Sequence, residues 1–280
     1  MKNFLNVLGV TILTLFSFYY TKQVANLSKS KDVIMQDIML YKSNYEKKSC
    51  DAKIDNDTIT PGLNGIMVDV NKSYSKMKEL GVYNENLYIF IKEMPKVTIN
   101  NNYNYFIQNG NRNNRNMSLL FIMEDDSYLF DILKILKSND AKATFFINDN
   151  NISINSLKKI TEDNHILGNM IINNNKINIK NTNSYIDRVS TNKNRYCYTN
   201  TFDYDMLNTC KSLNMYTIKS TNISNDPYIF VKENLKSGSI FDMKNNKKNV
   251  ESLNIILKYI KQKGLNIVTL DELLNEDITY

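Results

Sequence analysis

From residue 117 onward the chain alternates between two hydrophobic periods. Short apolar runs, Leu119-Leu120-Phe121-Ile122-Met123 and Ala143-Thr144-Phe145-Phe146-Ile147, read as buried strands. Between them Leu129, Ile132, Leu133 and Leu136 recur at the spacing of one helix face. The alternation predicts a helix over 153–161, a strand over 166–172, a helix over 205–213, a strand over 215–219, a helix over 227–235 and a strand over 239–243. A last helix carries Val250, Leu253, Ile256, Leu257 and Ile260, stops near Gly264 and leads into residues 267–270. About seven strands joined by helical crossovers imply a parallel α/β sheet or barrel.

The first 116 residues follow other patterns. Residues 4–20 form an almost unbroken apolar run, preceded by Lys2 and followed by Lys22. At about 17 residues it sits at the lower limit for crossing a bilayer. The bulky Phe16, Phe18, Tyr19 and Tyr20 at its end, with no small-residue cleavage pattern, favour an uncleaved anchor over a removed signal segment, with the remainder of the chain outside. Ile34, Ile38, Tyr41 and Tyr45 keep helical spacing and read as a stalk. A turn-rich Pro61-Gly62-Leu63-Asn64-Gly65, a short strand over 66–68, a helix over 71–80 and an extended segment over 86–97 follow, and the Asn-rich tract 100–116 reads as a polar linker. The predicted organisation is therefore an anchor or signal segment over 1–22, a stalk and small α+β or extended region over 23–116, and a larger domain over 117–280.

Composition adds restraint. Hydrophobic residues make up 42% and charged residues 23% of the 280, which excludes general disorder and a polytopic membrane protein. The net charge of +6 would suit an anionic polymer, but the lysines are scattered, so a nucleic-acid partner is not expected. Cys50, Cys197 and Cys210 form no C-x-x-C pair. Cys197 and Cys210 are near enough in sequence to bridge outside a cell, yet a strand-end and a helix cysteine read as separately buried.

Parallel α/β folds place their chemistry at the carboxyl ends of the strands. The first strand of the larger domain ends in Glu124-Asp125-Asp126-Ser127, where carboxylates suit a metal ligand or a general base. The same cluster equally suits the start of a helix.

Six stretches in order resemble the polysaccharide deacetylase family, the NodB-homology domain, over about residues 117–275. They are Leu120 to Ser127, Ala141-Lys142-Ala143-Thr144-Phe145-Phe146-Ile147, Asn164-His165-Ile166-Leu167-Gly168-Asn169, Asn194-Arg195-Tyr196-Cys197-Tyr198, Ser237-Gly238-Ser239-Ile240, and Lys263-Gly264 through Leu274. The resemblance implies a distorted (β/α) barrel of about seven parallel strands. It also implies hydrolysis of N-acetyl groups on sugars with a divalent metal such as zinc, held by one Asp and two His, beside an Asp base and a His acid. On this pattern Asp125 is the base, Asp126 the metal carboxylate and Arg195 the residue that orients the base; a shift of one residue gives the first two roles to Glu124 and Asp125.

The family's two metal histidines fall on Met170 and Asn174, and its acid falls at or beside Lys244. His165, the only histidine in the chain, matches a family position that is not a ligand and reads as structural. Two lost imidazoles remove most of a binding energy on the order of 10 kcal/mol. The expectation is a membrane-anchored, extracytoplasmic deacetylase-like protein of a bacterial cell surface, catalytically inactive, without a tightly bound cofactor. Its groove, lined by Tyr198 and Tyr196, would bind or scaffold cell-wall glycan. The alternatives are an active metal-dependent de-N-acetylase with an atypical site, and a partner-binding protein acting through residues 30–110.

Overall fold

The computed structural model describes residues 2–100, 102–148, 152–171, 176–191, 193–223 and 226–277, with the side chains of residues 2–6 left aside. Helices α1 (Lys2–Ser30) and α2 (Val33–Tyr41) come first, followed by strands β1 (Lys53–Asp55), β2 (Thr58–Thr60) and β3 (Gly65–Val68). After these come α3 (Val70–Leu80), β4 (Phe90–Glu93) and β5 (Phe106–Ile107). Strand and helix then alternate through β6 (Asn116–Met123), α4 (Leu129–Ser138), β7 (Thr144–Ile147), α5 (Ile154–Glu162), β8 (Ile166–Met170), α6 (Lys176–Asp187), β9 (Tyr196–Thr199) and α7 (Tyr204–Lys211). The chain ends in β10 (Tyr216–Lys219), β11 (Thr221–Asn222), α8 (Pro227–Asn234), β12 (Ile240–Lys244), α9 (Lys247–Gln262), β13 (Asn266–Ile267) and α10 (Leu270–Leu273).

The chain forms two compact units, one from residues 1–49 and 64–94, the other from 50–63 and 95–280. In the first, β3 and β4 pair antiparallel, and Ile34 and Ile38 of α2 pack with Val68, Met77 and Tyr88 in a small core. Residues read as a stalk thus have a packed inner face. Among the described residues no helix is long and apolar enough to cross a membrane. The apolar run proposed as an anchor lies in α1, where its side chains from Val7 to Tyr20 are exposed; the first residues of that run lie outside the described side chains.

The second unit is an eleven-stranded sheet in the order β1-β2-β5-β10-β9-β8-β7-β6-β12-β11, with β13 also on β6. Every pairing from β2 to β11 is parallel. The sheet curls but ends in two edges, so the architecture is a deacetylase-like half-barrel rather than a closed barrel. Buried parallel strands read as continuous apolar runs because both faces are covered. β6 shows why: Leu119, Phe121 and Met123 enter the core under the helices, and Leu120 and Ile122 enter the core on the inner face. Leu129, Ile132, Leu133 and Leu136 of α4 and Leu253, Ile256, Leu257 and Ile260 of α9 supply the helical side of the outer core.

The Asn-rich tract read as a linker carries β5, whose Phe106 and Ile107 are fully buried in register with Thr217 and Ile218 of β10. Two apolar residues among amides give no periodic signal. Two glycines of the resembling stretches are explained by close approach. A Cβ on Gly168 would lie 2.4 Å from the Phe146 ring on the neighbouring strand, and Gly238, at φ +83°, would put one 2.4 Å from the Gly110 carbonyl. Cys197 and Cys210 form a disulfide, contrary to the expectation of separate burial, because α7 lies over β9 with the two Cα atoms 6.4 Å apart.

Candidate functional site

The carboxyl ends of the parallel strands open onto a groove of about 610 Å³. Inward-facing side chains come in layers because residues two apart on a strand share a face. Ile122, Asp242 and Tyr198 are buried in the groove's lining, Met170 is half-buried, and Glu124 and Lys244 are exposed. The segment between β9 and α7 supplies a wall through Asn200, Thr201 and Asp203.

The carboxylates after β6 divide. Glu124 lines the groove. Asp125 is exposed; its Oδ1 accepts the Ser127 backbone N–H at 2.9 Å and the Asn245 side-chain amide at 3.1 Å, and these donors, Ser127 first, hold its carboxyl below the ordinary range. Asp126 Oδ2 accepts the Ser156 hydroxyl at 2.7 Å at the start of α5. Both Asp125 and Asp126 are therefore engaged at the strand exit.

Tyr198 sits in the groove, its ring 5.3 Å from that of Phe146. Its neighbour Asp242 is 1% exposed, accepts the hydroxyl of Ser220, and receives the Asn222 amide at 3.0 Å. Burial raises the Asp242 carboxyl, while donation from Ser220 and Tyr198 works against that rise. Sequence reasoning passed over Asp242 because it stands inside an apolar strand. The available signal was a lone carboxylate at the inward period of a buried run, which has to find partners.

Arg195 and Tyr196 lie elsewhere. Arg195 directly precedes β9 and Tyr196 begins it, at the amino end of the sheet, and both line a separate cavity of about 530 Å³ with His165 and Asp271. The Arg195 guanidinium meets Asp271 at 2.9 Å, and the Tyr196 hydroxyl donates to the same carboxylate at 2.6 Å. Arg195 is thus not brought together with Asp125 and Asp126. His165 is 4% exposed, and its Nδ1 accepts the Ala143 backbone N–H at 3.1 Å. Burial, with Lys142 nearby, lowers its pKa to about 4, so the ring is neutral and structural.

Among the described residues the lining of this groove does not suit a divalent metal. Its lining offers a thioether at Met170 and an ammonium at Lys244, neither suited to a hard or borderline cation in company with carboxylates. Among the described residues no three His, Cys, Asp or Glu side chains are placed to hold an ion. Asn174, the other family histidine position, lies outside the described residues.

Residues 110–234 match the family model for polysaccharide deacetylase. Over that stretch the chain is similar to the family in a degenerate form, since it has a single histidine, His165, where the family pattern calls for two metal-binding histidines. It is 29% identical over 126 residues to the uncharacterized protein YlxY of Bacillus subtilis (strain 168), covering 44% of this chain and 40% of that protein, so it matches less than half of that relative's length. Its fold is similar to wild-type BA3943 of Bacillus anthracis, a CE4 family pseudoenzyme. That likeness has 23% identity, covers 89% of this chain and 97% of the other, and has a TM-score of 0.67. The Bc1960 peptidoglycan N-acetylglucosamine deacetylase is similar over 59% of this chain and 91% of its own, with 20% identity and a TM-score of 0.52.

Proposed function

We propose that this protein is a catalytically inactive deacetylase-like protein that works outside the cell membrane and binds or scaffolds cell-wall glycan through the groove at the carboxyl strand ends. The observation that carries the reading is the pair Met170 and Lys244 in the groove, where the family's chemistry needs imidazoles. Asp125 and Asp126 are then vestiges of the family's base and metal carboxylate, retained by their contacts with Ser127, Asn245 and Ser156. Tyr198, rather than Tyr196, is the aromatic residue presented to a sugar.

Two further observations support the setting. The Cys197–Cys210 disulfide suits an oxidising compartment. In α1 the hydroxyls of Thr11, Thr14 and Thr21 are turned back onto backbone carbonyls one turn earlier, which leaves an apolar surface suited to associating with lipid. The name of BA3943 as a pseudoenzyme and that of Bc1960 as a peptidoglycan deacetylase support the inactivity and the class of ligand.

The test uses the purified full chain. Elemental analysis after incubation with zinc should find no stoichiometric metal, peptidoglycan or chitooligosaccharide should release no acetate, and insoluble peptidoglycan should pull the protein down. Stoichiometric zinc with acetate release abolished by Asp126→Ala would instead establish an active de-N-acetylase with an atypical ligand set.

A further inference from the structure

The groove holds two charged side chains that the fold does not use. Glu124 directly follows β6, and Lys244 ends β12, the strand paired in parallel beside it; Lys244 is in register with Ile122, two residues before Glu124. Both side chains are exposed and line the groove, and among the described residues neither has an ion-pair or hydrogen-bond partner. The other carboxylates there are engaged. Asp242 takes donors from Ser220 and Asn222, and Asp203 accepts the Met206 backbone N–H at 2.9 Å at the start of α7.

The sign of these charges narrows the ligand. Among the described residues of the lining, Glu124, Asp203 and Asp242 outnumber Lys244, so a phosphate or carboxylate group would meet more repulsion than attraction. A divalent cation would meet the Lys244 ammonium. A neutral, hydroxyl-rich ligand that also carries a carbonyl meets neither obstacle: its hydroxyls donate to Glu124, and its carbonyl oxygen accepts from the ammonium, which has three donors and no acceptor.

The geometry points to Lys244, at or beside the position of the family's acid, as the donor that holds the acyl oxygen of an N-acylated amino sugar, so that the groove retains the acetylated sugar uncleaved. This inference rests on the glycan-binding reading above and adds which form of the sugar is bound and by which residue. The ammonium is a single charge with no imidazole acid beside it, which suits retention rather than hydrolysis.

Calorimetry on the full chain, with the tetramer of N-acetylglucosamine and its fully de-N-acetylated counterpart as probes, tests it. The acetylated tetramer should bind more tightly, with affinity unchanged by EDTA. Lys244→Met should weaken that binding about tenfold or more, the scale of a hydrogen bond to a charged group, and Lys244→Arg should keep most of it. The thermal midpoint should stay put in both variants, since Lys244 is exposed. Wild-type affinity in Lys244→Met, loss of binding in EDTA, or tighter binding of the de-N-acetylated tetramer would overturn the assignment to Lys244. A wild-type chain that binds neither tetramer nor peptidoglycan would overturn the glycan reading itself and this inference with it.

Discussion

The two ends of the same parallel strands have been treated differently. At the amino end, Arg195, Tyr196 and Asp271 meet one another, and His165 accepts a backbone N–H from Ala143. At the carboxyl end, Glu124 and Lys244 line the groove with no side-chain partner among the described residues, beside an Asp242 whose hydrogen bonds are met. A polar cluster whose members satisfy one another stabilises a fold and leaves little to offer a ligand; unpaired charges on a rigid rim lower stability slightly and are available for binding. The same resembling stretch feeds both ends, since Tyr196 and Tyr198 point inward two residues apart on β9 and reach opposite cavities.

The sharpest way to break this contrast is to truncate one residue at each end. Tyr196 is 3% exposed in the inner core, so Tyr196→Ala should cost about 3–5 kcal/mol in urea unfolding. Lys244→Met should leave the urea midpoint where it is. Equal stability losses at the two ends would remove the distinction.

Next is the response to acid. The folded pKa of His165, about 4, lies below its ordinary 6.5, so the unfolded chain takes up a proton that the folded chain refuses. The His165 contribution is complete above pH 6.5 and is lost as pH falls toward about 4, amounting to about 3 kcal/mol. The carboxyls of Asp242 and Glu276, raised mainly by burial, act in the opposite sense, favouring the fold below their unfolded values and losing that contribution as pH rises. His165→Gln, which keeps an acceptor for the Ala143 N–H, isolates the imidazole: its unfolding free energy should be flatter than wild type between pH 6.5 and 4. An unchanged slope would mean that the ring titrates in the folded protein.

What the sequence discloses divides along the same lines. β6 and β7 are legible because a strand covered on both faces has to be apolar throughout, and α4 and α9 because one face of each meets the outer core. The missing imidazoles are equally legible, since one histidine cannot make two ligands. Three features are not. Phe106 and Ile107 gain their strand by pairing with β10, more than a hundred positions later, and with Thr58 of β2, far earlier in the chain. Asp242 is set by Ser220 and Asn222 on the chain that leads into and forms the adjoining edge strand. Arg195 finds Asp271 76 residues on, and spacing alone does not say which end of a strand a flanking residue faces. Local pattern fixes the elements, whereas these contacts depend on how the elements meet.

The disulfide is a subtler connection between fold and groove. It joins β9 to α7 across a separation of 13 residues, and Asn200, Thr201 and Asp203 of the groove wall lie inside the closed loop. Cys197→Ser with Cys210→Ser should lower stability by about 2–3 kcal/mol through the freed unfolded chain. Glycan affinity should also fall, by a smaller factor than in Lys244→Met, because the wall is then held less firmly. If affinity were untouched while the thermal midpoint dropped, the wall would be ordered by its other contacts.

The smallest expected effect is the most discriminating. Arg195 is the residue that the family resemblance would set beside the base, but its guanidinium lies at the amino end against Asp271, with side chains 54% and 37% exposed. Exposed ion pairs contribute about 0.2–1 kcal/mol. Arg195→Ala also leaves Asp271 the hydroxyl of Tyr196 as a donor at 2.6 Å. The variant should therefore unfold within about 1 kcal/mol of wild type and bind the acetylated tetramer with unchanged affinity. A tenfold loss of binding at wild-type stability would place Arg195 in communication with the groove some four strand residues away, and the separation of a structural end from a ligand-binding end would fail.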